Sequence, residues 1–342
     1  MTYLNRRNFV KALSTLPLVF YFPKFALAQN LPNISELKVG YAQRLKLILN
    51  KGNLPYIDIE SSCKSSKIDI DWLAKSMDEL NIGLMALSAD VKEPIYDDLS
   101  GTLNSSYPNH FIPVGNGGMT ISPDEFLDAQ DKVAQEHEIL LFGEYEFRHY
   151  PSPRQVKRGK TDRDVFVPIN GPVGHHAFSL SEKTGMAFQI HYEIEDELLL
   201  PLESMLAQYP KSKVIWCHLA QIRYIERASR YTPTYVDSLI ARFPNLYFDT
   251  AFGNASSTYP LSGQHHARVW AEGGGLKSEW RDLIVAHSDR IFSALDLGQD
   301  RMNKIGEKDH NHRMFLSQLP ADTQHKIAYR NTWKLLFKED FS

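Results

Sequence analysis

LPYIDIESSCKSSKIDIDWLAKSMDELNIGLMALSAD, residues 54–90, has the layout of a buried strand, a helix and a second buried strand. Between YIDIES from 56 and IGLMALS from 82, DIDWLAKSMDELN sets Ile70, Leu73, Met77 and Leu80 on one stripe at helical spacing. The unit reads as a β-α-β crossover between parallel strands. Its first strand runs out into Asp58-Ile59-Glu60-Ser61-Ser62, so polar groups collect at the end of an apolar run.

The same alternation continues along the chain. Further candidate strands are HFIPVGN from 110, ILLFGEYEF from 139, GMAFQIHYE from 185, KVIWCHL from 213, NLYFDTA from 245 and RIFSALD from 290. Most are too uniformly apolar for a sheet wetted on one face, and strands buried on both faces belong to parallel sheets. SPDEFLDAQDKVAQEHE reads as a helix opened by a Ser122 cap, with Pro123 in the first turn and acidic residues beside the helix N-terminus. EDELLLPLESMLAQYP and YVDSLIARFP each stop at a proline directly before the next strand. Eight strands with helical crossovers predict an α/β fold, a (β/α)8 TIM barrel in a single domain. A doubly wound open sheet is the competing layout, but no Gly-x-Gly-x-x-Gly follows an early strand.

Composition sets the outer limits. The chain has 342 residues, 43% hydrophobic and 23% charged, with a net charge of -3. That length supports a large core, and the charge offers no electrostatic case for nucleic acid as a partner. No unbroken apolar run is long enough to span a bilayer. Residues 1–28 read as an export signal: Arg6-Arg7-Asn8-Phe9-Val10-Lys11, a short apolar region, then Ala26-Leu27-Ala28 as a cleavage site. The paired arginines predict the twin-arginine route, hence a periplasmic or otherwise exported protein, with residues 29–342 as the barrel. Cys63 and Cys217 have no zinc-knuckle or CxxC spacing. If His218 points inward, alternation turns Cys217 to the opposite face, so no disulfide is expected between them.

In a barrel, polar residues at the C-terminal strand ends are where chemistry sits. Those ends supply Asp58 and Glu60, Glu144 and Glu146, His191 and Glu193, His218, Asp249 and Asp296. A lone strand-end histidine usually caps a loop and a lone carboxylate usually faces water. Groups converging from five or six strands are harder to dismiss.

The order of these residues resembles the amidohydrolase superfamily, in particular its branch of small TIM-barrel hydrolases and decarboxylases. YIDIESS stands where that family has Asp-x-His-x-His, FQIHYE places His191 at its fifth-strand metal ligand, and VIWCHLAQ places His218 at its sixth-strand histidine. SDRIFSALDLGQDR occupies the place of the eighth-strand segment, with Asp296 as the aspartate, and LPADTQHKIAYRNTWKLLF resembles the last helix. Glu60 and Ser62 replace both histidines of the first strand. The decarboxylase branch can carry glutamate in the first of those places, whereas a neutral serine hydroxyl binds a divalent cation far less well than imidazole or carboxylate.

The resemblance implies a divalent metal held by Glu60, His191 and Asp296, with zinc first and manganese second. Asp296, His218 and Glu144 are the expected catalytic residues: Asp296 takes the proton of a metal-activated water, and His218 steadies the oxyanion or protonates the leaving group. Hydrolysis of a small, acidic ester, lactone or amide is the expected reaction. Decarboxylation, a metal-independent hydrolase on the same scaffold, and an inactive periplasmic receptor for a small acid stay open as alternatives.

RHYPSPRQVKRGKTDRDVFVPINGPVGHH follows the fourth strand, and loops after barrel strands shape the pocket. Arg148, Arg154, Arg158 and Arg163 are therefore candidates for holding a substrate carboxylate. His175 and His176 are adjacent, point two ways, and read as loop packing.

The export reading makes a direct prediction. Replacing Arg6 and Arg7 together with lysine holds the precursor in the cytoplasm, because the twin-arginine route reads the pair itself. Fractionation showing undiminished periplasmic accumulation of the double variant contradicts it.

Overall fold

The parallel strands expected from the sequence form in the computed structural model, which describes residues 33–63, 68–89, 99–116, 123–136, 139–151, 156–159, 164–220, 222, 224–256, 269–298 and 301–342. They are β1 (Tyr56–Cys63), β2 (Ile82–Ala89), β3 (Phe111–Ile112), β4 (Val114–Asn116), β5 (Leu141–His149), β6 (Val165–Phe166), β7 (Ala187–Tyr192), β8 (Lys213–Trp216), β9 (Leu246–Asp249) and β10 (Ile291–Phe292). The proposed signal at 1–28 and the Ser122 cap lie outside the described residues.

β3 and β4 are one extended run broken at Pro113, which has no N–H to give a neighbour. Its first half pairs with β2 and its second half with β5. Pairing then proceeds in parallel through β5, β7, β8, β9 and β10. The ring closes where β1 meets the segment past β10: Ile59 N–H donates to Ser293 O at 3.0 Å, Asp296 N–H to Glu60 O at 3.0 Å, and Ser62 N–H to Leu297 O at 2.8 Å. With β3 and β4 counted as one and the antiparallel β6 set aside, this is the eight-stranded α/β barrel.

Helices supply the crossovers. α1 (Ile34–Asn50) precedes the barrel, opened by an Asn33–Glu36 capping box and burying Leu37, Tyr41, Leu45 and Ile48. α2 (Ile70–Leu80) joins β1 to β2 as read from the sequence, with Leu73 and Met77 fully buried and Asn81 closing it in the left-handed region. α3 (Leu99–Ser106), α4 (Pro123–Glu136), α5 (Pro172–Thr184), α6 (Asp196–Gln208), α7 (Pro233–Arg242), α8 (Ser278–Ala286) and α9 (Ile305–Leu316) follow. The chain ends in α10 (Ala321–His325), a π-helical turn (Lys326–Arg330) and α11 (Asn331–Phe337). Among the described residues no helix is long and apolar enough to cross a membrane.

The structure corrects the loop reading of His175 and His176, which lie on α5. Pro172 in its first turn, left-handed Gly185 at its end and the buried Val173, Ala177, Phe178 and Leu180 make that segment helical. His175 Nδ1 meets Tyr209 Oη at 2.8 Å, and His176 Nε2 meets Asp131 at 2.9 Å. Both cysteines are free, as expected, and both are buried.

α9 locks the ends of β9 and β10 through His312. Its Nε2 lies 2.8 Å from Ser293 Oγ, its Nδ1 3.4 Å from Thr250 Oγ1, and its ring packs edge-on against Tyr56. Burial, aided by the Arg313 charge, lowers its pKa from 6.5 to about 3. A buried histidine held neutral stabilises the fold above its unfolded pKa, and that stability is lost as pH falls through the window from 6.5 to about 3. Denaturant unfolding of metal-free protein should show stability falling by about 1.4 kcal/mol per pH unit from this group between pH 6 and 4, and His312→Gln should remove that increment. An unchanged slope in the variant contradicts this role.

Candidate metal centre at the strand ends

The expected metal and catalytic residues come from different strands, Glu144 from the middle of β5 and the others from near the ends of theirs. Glu60 comes from β1, Glu144 from β5, His191 from β7, His218 from the 3-10 turn after β8, Asp249 from the last position of β9 and Asp296 from the segment past β10. The turn after β8 is costly to form. His218, Leu219 and Ala220 have φ of 62°, 47° and 58°, in the left-handed region that non-glycine residues enter at about 1–2 kcal/mol each. Asp249 holds it, its Oδ1 accepting from His218 N at 2.7 Å and from Ala251 N at 3.0 Å. Tyr231 Oη donates to Leu219 O at 2.8 Å. Asp296 is also left-handed, with φ of 50°. Strain concentrated at two strand-end groups of one mouth is characteristic of a functional site.

The strained turn brings two imidazoles together. His218 Nε2 lies 2.9 Å from His191 Nδ1, and Glu144 Oε1 lies 2.9 Å from that Nδ1 and 3.1 Å from that Nε2. The outer nitrogens fix the tautomers. His218 Nδ1 faces the Ala251 carbonyl at 3.2 Å, which can only accept, and His191 Nε2 faces Glu193 at 3.1 Å. Both rings therefore donate outward and turn their lone pairs toward each other and toward Glu144. That contact is repulsive unless a proton or a cation lies between them.

Electrostatics agree. Burial works to lower the pKa of His191, but Glu144 and then Glu193 outweigh it and raise it to about 10. Burial likewise opposes protonation of His218, and Glu144 overrides it. Glu144 is held well below the usual carboxylate range, because both imidazoles outweigh its own burial. The triangle thus calls for positive charge, which a proton on His191 supplies in the metal-free protein and a bound cation would supply in its place. Donors bonded tetrahedrally to zinc at about 2.0–2.1 Å stand about 3.3–3.4 Å apart, wider than the 2.9–3.1 Å edges seen here, so the three side chains would move slightly apart to take an ion. Two imidazoles and a carboxylate are a donor set that suits zinc.

Carboxylates crowd round the triangle. Glu60 Oε2 lies 3.9 Å from His218 Nδ1. Glu60, His218 and Asp249 form a second group with donor atoms within 4.8 Å of one another, and His149, His191 and Glu193 a third. Among the described residues, Glu60 Oε2 and Asp249 Oδ2 are buried with no hydrogen-bond partner. Burial first, then the charge of Asp296, pushes Glu60 well above its usual pKa, and burial raises Asp249. Asp296 differs: its Oδ1 accepts from Arg301 at 2.6 Å, and Arg301 and Lys308 outweigh burial to hold its pKa low.

The expected set of Glu60, His191 and Asp296 is not among the groups whose donors come within 4.8 Å; His191 instead groups with Glu144 and His218. Arg148, in place of a substrate carboxylate, is given two protein carboxylates, Glu195 at 2.9 Å and Asp164 at 2.7 Å, and so ties β6 to the barrel. Arg158 is exposed on its turn, while Arg154 and Arg163 lie outside the described residues. Sequence reading placed Asp249 and Glu193 at strand ends without giving either a task. Arg301 drew no attention, and its only signal was its position five residues after Asp296.

No family model matches the chain, and no curated protein matches it. Solved structures match its fold. A probable 2-pyrone-4,6-dicarboxylic acid hydrolase from Acinetobacter baumannii, solved with citric acid bound, has a TM-score of 0.52 at 12% identity, covering 83% of this chain and 99% of that one. A protein from Staphylococcus aureus provisionally described as an amidohydrolase has a TM-score of 0.51 at 12% identity, covering 83% and 99%. A dihydroxybenzoic acid decarboxylase from a Polaromonas species, with bound manganese and the inhibitor 2-nitroresorcinol, has a TM-score of 0.50 at 12% identity, covering 82% and 96%. At this identity the likeness concerns the fold.

The role of Asp249 as the clamp of the His218 turn is measurable. Asp249→Ala leaves two buried N–H groups without an acceptor and should lower the stability of chelator-treated protein by about 2–4 kcal/mol, whereas Asp249→Asn, which keeps an acceptor oxygen, should lower it by less than half as much. Urea unfolding of both variants reads the difference, and equal losses contradict the clamp.

Proposed function

We propose that the chain is an amidohydrolase-like enzyme that hydrolyses a small acidic ester, lactone or amide at the C-terminal mouth of its barrel with the help of a divalent cation, zinc before manganese. The observation that carries this reading is the pair of buried imidazoles turned nitrogen to nitrogen at 2.9 Å beside Glu144. His191, His218 and Glu144 would hold the cation, while Glu60 lies on the far side of the His218 ring, 3.9 Å from its Nδ1. Such an ion makes water a nucleophile near neutral pH and polarises a carbonyl oxygen.

The remaining steps belong to the protein's own groups. Glu193 and the Ala251 carbonyl hold the two rings in the tautomers that leave a lone pair inward. Asp296, kept ionised by Arg301 and Lys308, receives the proton of the attacking water and passes it to the leaving group. The left-handed backbone of Asp296 aims that carboxylate, and Arg301 steadies it.

Loss of a carboxyl group is the second reading. Glu60 supports it, standing where the decarboxylase branch resembled by this sequence can carry glutamate, and 4% exposed on the site side of β1. Two proteins sharing the fold support an acidic or phenolic substrate: a probable pyrone-dicarboxylic acid hydrolase and a manganese-bearing dihydroxybenzoic acid decarboxylase.

Elemental analysis of protein purified without chelator, paired with turnover of a lactone, ester and aromatic-acid panel, tests the proposal. We expect about one zinc or manganese per chain, and a loss of affinity of at least tenfold to a hundredfold in His191→Ala and His218→Ala. Asp296→Asn should keep the metal and lose most of kcat. Metal-free wild type, or turnover that survives His218→Ala, rejects the metal-dependent reading.

A further inference from the structure

The floor of the barrel, at the strand starts opposite the metal centre, carries two lysines that have no carboxylate partner among the described residues. The first is Lys213. Gln189 Nε2 donates to Ile59 O of β1 across the barrel at 2.6 Å, so the Gln189 side chain points inward. Alternation along β7 puts Ala187 on the same side, and Lys213, the first residue of β8, is the parallel partner of Ala187 and shares its face. Lys213 is therefore aimed into the floor, one layer below Gln189.

The second lysine arrives on the C-terminal helix. At the start of α11, Asn331 Nδ2 donates to Ile291 O, the first residue of β10, at 2.8 Å. At its end Lys338 turns left-handed, with φ of 58°, and brings its ammonium to Gly185, two residues before β7. A Cβ on Gly185 would lie 3.3 Å from Lys338 Nζ. Because β8 and β9 separate β7 from β10, the helix crosses the floor. Ser181 ties this corner to Lys213: its Oγ accepts from Lys213 N at 2.8 Å and donates to Met186 O at 2.6 Å.

The acids nearby are committed elsewhere. Glu339 and Asp340, which follow Lys338, are held by Lys38 at 2.6 Å and Lys334 at 2.9 Å, and Glu182 accepts from Lys211 N at 2.8 Å. Burial first, and then the charge of Lys338, lower the Lys213 pKa, and no carboxylate opposes them. The C-terminal end of α5 attracts a cation through its dipole, which accounts for Lys338 alone. It gives no reason for a second, half-buried ammonium to be turned toward the first.

We propose that the barrel floor is an oxyanion site, in which Lys213 and Lys338 hold one phosphate or sulfate between them and so pin the end of α11 beneath β7 and β8. A tetrahedral oxyanion has acceptor oxygens for both ammonium groups at once, and lysine serves phosphate as a point charge. The site is separate from the metal centre and takes no part in its chemistry. Its effect is on stability, through a ligand that binds the folded chain.

Calorimetry with inorganic phosphate and heat denaturation in phosphate against chloride at equal ionic strength, both on the full chain, test it. Wild type should bind phosphate and denature at a higher temperature in it. Phosphate also strengthens burial generally, so the difference between wild type and variants is the readout. Lys213→Gln and Lys338→Gln should each weaken phosphate binding by roughly tenfold or more and remove most of the difference in denaturation temperature, whereas Lys338→Arg keeps both. In chloride neither glutamine variant should be less stable than wild type, because each relieves a like-charge contact. If Lys338 serves as a helix-end cap alone, Lys338→Gln denatures earlier in chloride and leaves phosphate affinity unchanged, which overturns the proposal. Equal phosphate affinity in Lys213→Gln and wild type overturns it as well, since the anion then sits elsewhere, the metal centre included.

Discussion

Asp58, fully buried in β1, accepts from Leu295 N at 2.9 Å, from Glu60 N at 3.3 Å and from the Ser61 hydroxyl at 2.6 Å. Ser61 Oγ in turn accepts from Leu297 N at 3.1 Å. These contacts span the seam where the last strand meets the first, and they satisfy backbone N–H groups that the short β10 leaves beyond its own ladder. Burial raises the Asp58 pKa to about 7 against the pull of those hydrogen bonds. The consequence is geometric. With the seam fixed, Asp296 N donates to Glu60 O, and the carboxylates of the first and last strands reach the same mouth as His191 and His218.

Two kinds of buried charge meet at that mouth, and they are not balanced. Glu144 has both imidazoles, and Asp296 has Arg301. Glu60 and Asp249 each keep one buried oxygen without a hydrogen-bond partner among the described residues. Uncompensated buried carboxylates cost several kcal/mol each unless they are protonated or paired. A divalent cation answers both demands at once, filling the gap between two inward lone pairs and offsetting the surplus of acid around them.

Much of this was legible in the sequence because strand ends are local features. Eight apolar runs at crossover spacing give a barrel, and Glu144, His191, His218 and Asp296 stand where those runs stop. What was hidden is non-local or conformational. No pattern announces that His218, Leu219 and Ala220 turn left-handed, since the cause is a carboxylate 31 residues later in sequence. That turn swings His218 to Glu144, so that these two group with His191 within 4.8 Å. Arg148 shows the same limit. Its strand and its charge fitted a substrate role, but Glu195 and Asp164 converge on it through folding alone. His175 and His176 were misread for a simpler reason: the loop between β6 and β7 carries a helix whose Pro172 and Gly185 signals stood in plain view.

The central claim is that His191, His218 and Glu144 enclose one cation. Anomalous diffraction from crystals grown with zinc, recorded on both sides of the zinc edge, tests it most directly. One strong peak is expected about 2.0–2.2 Å from His191 Nδ1, His218 Nε2 and a Glu144 oxygen. A peak between Glu60 and Asp249 on the opposite side of the His218 ring, or no peak in the barrel mouth, contradicts it.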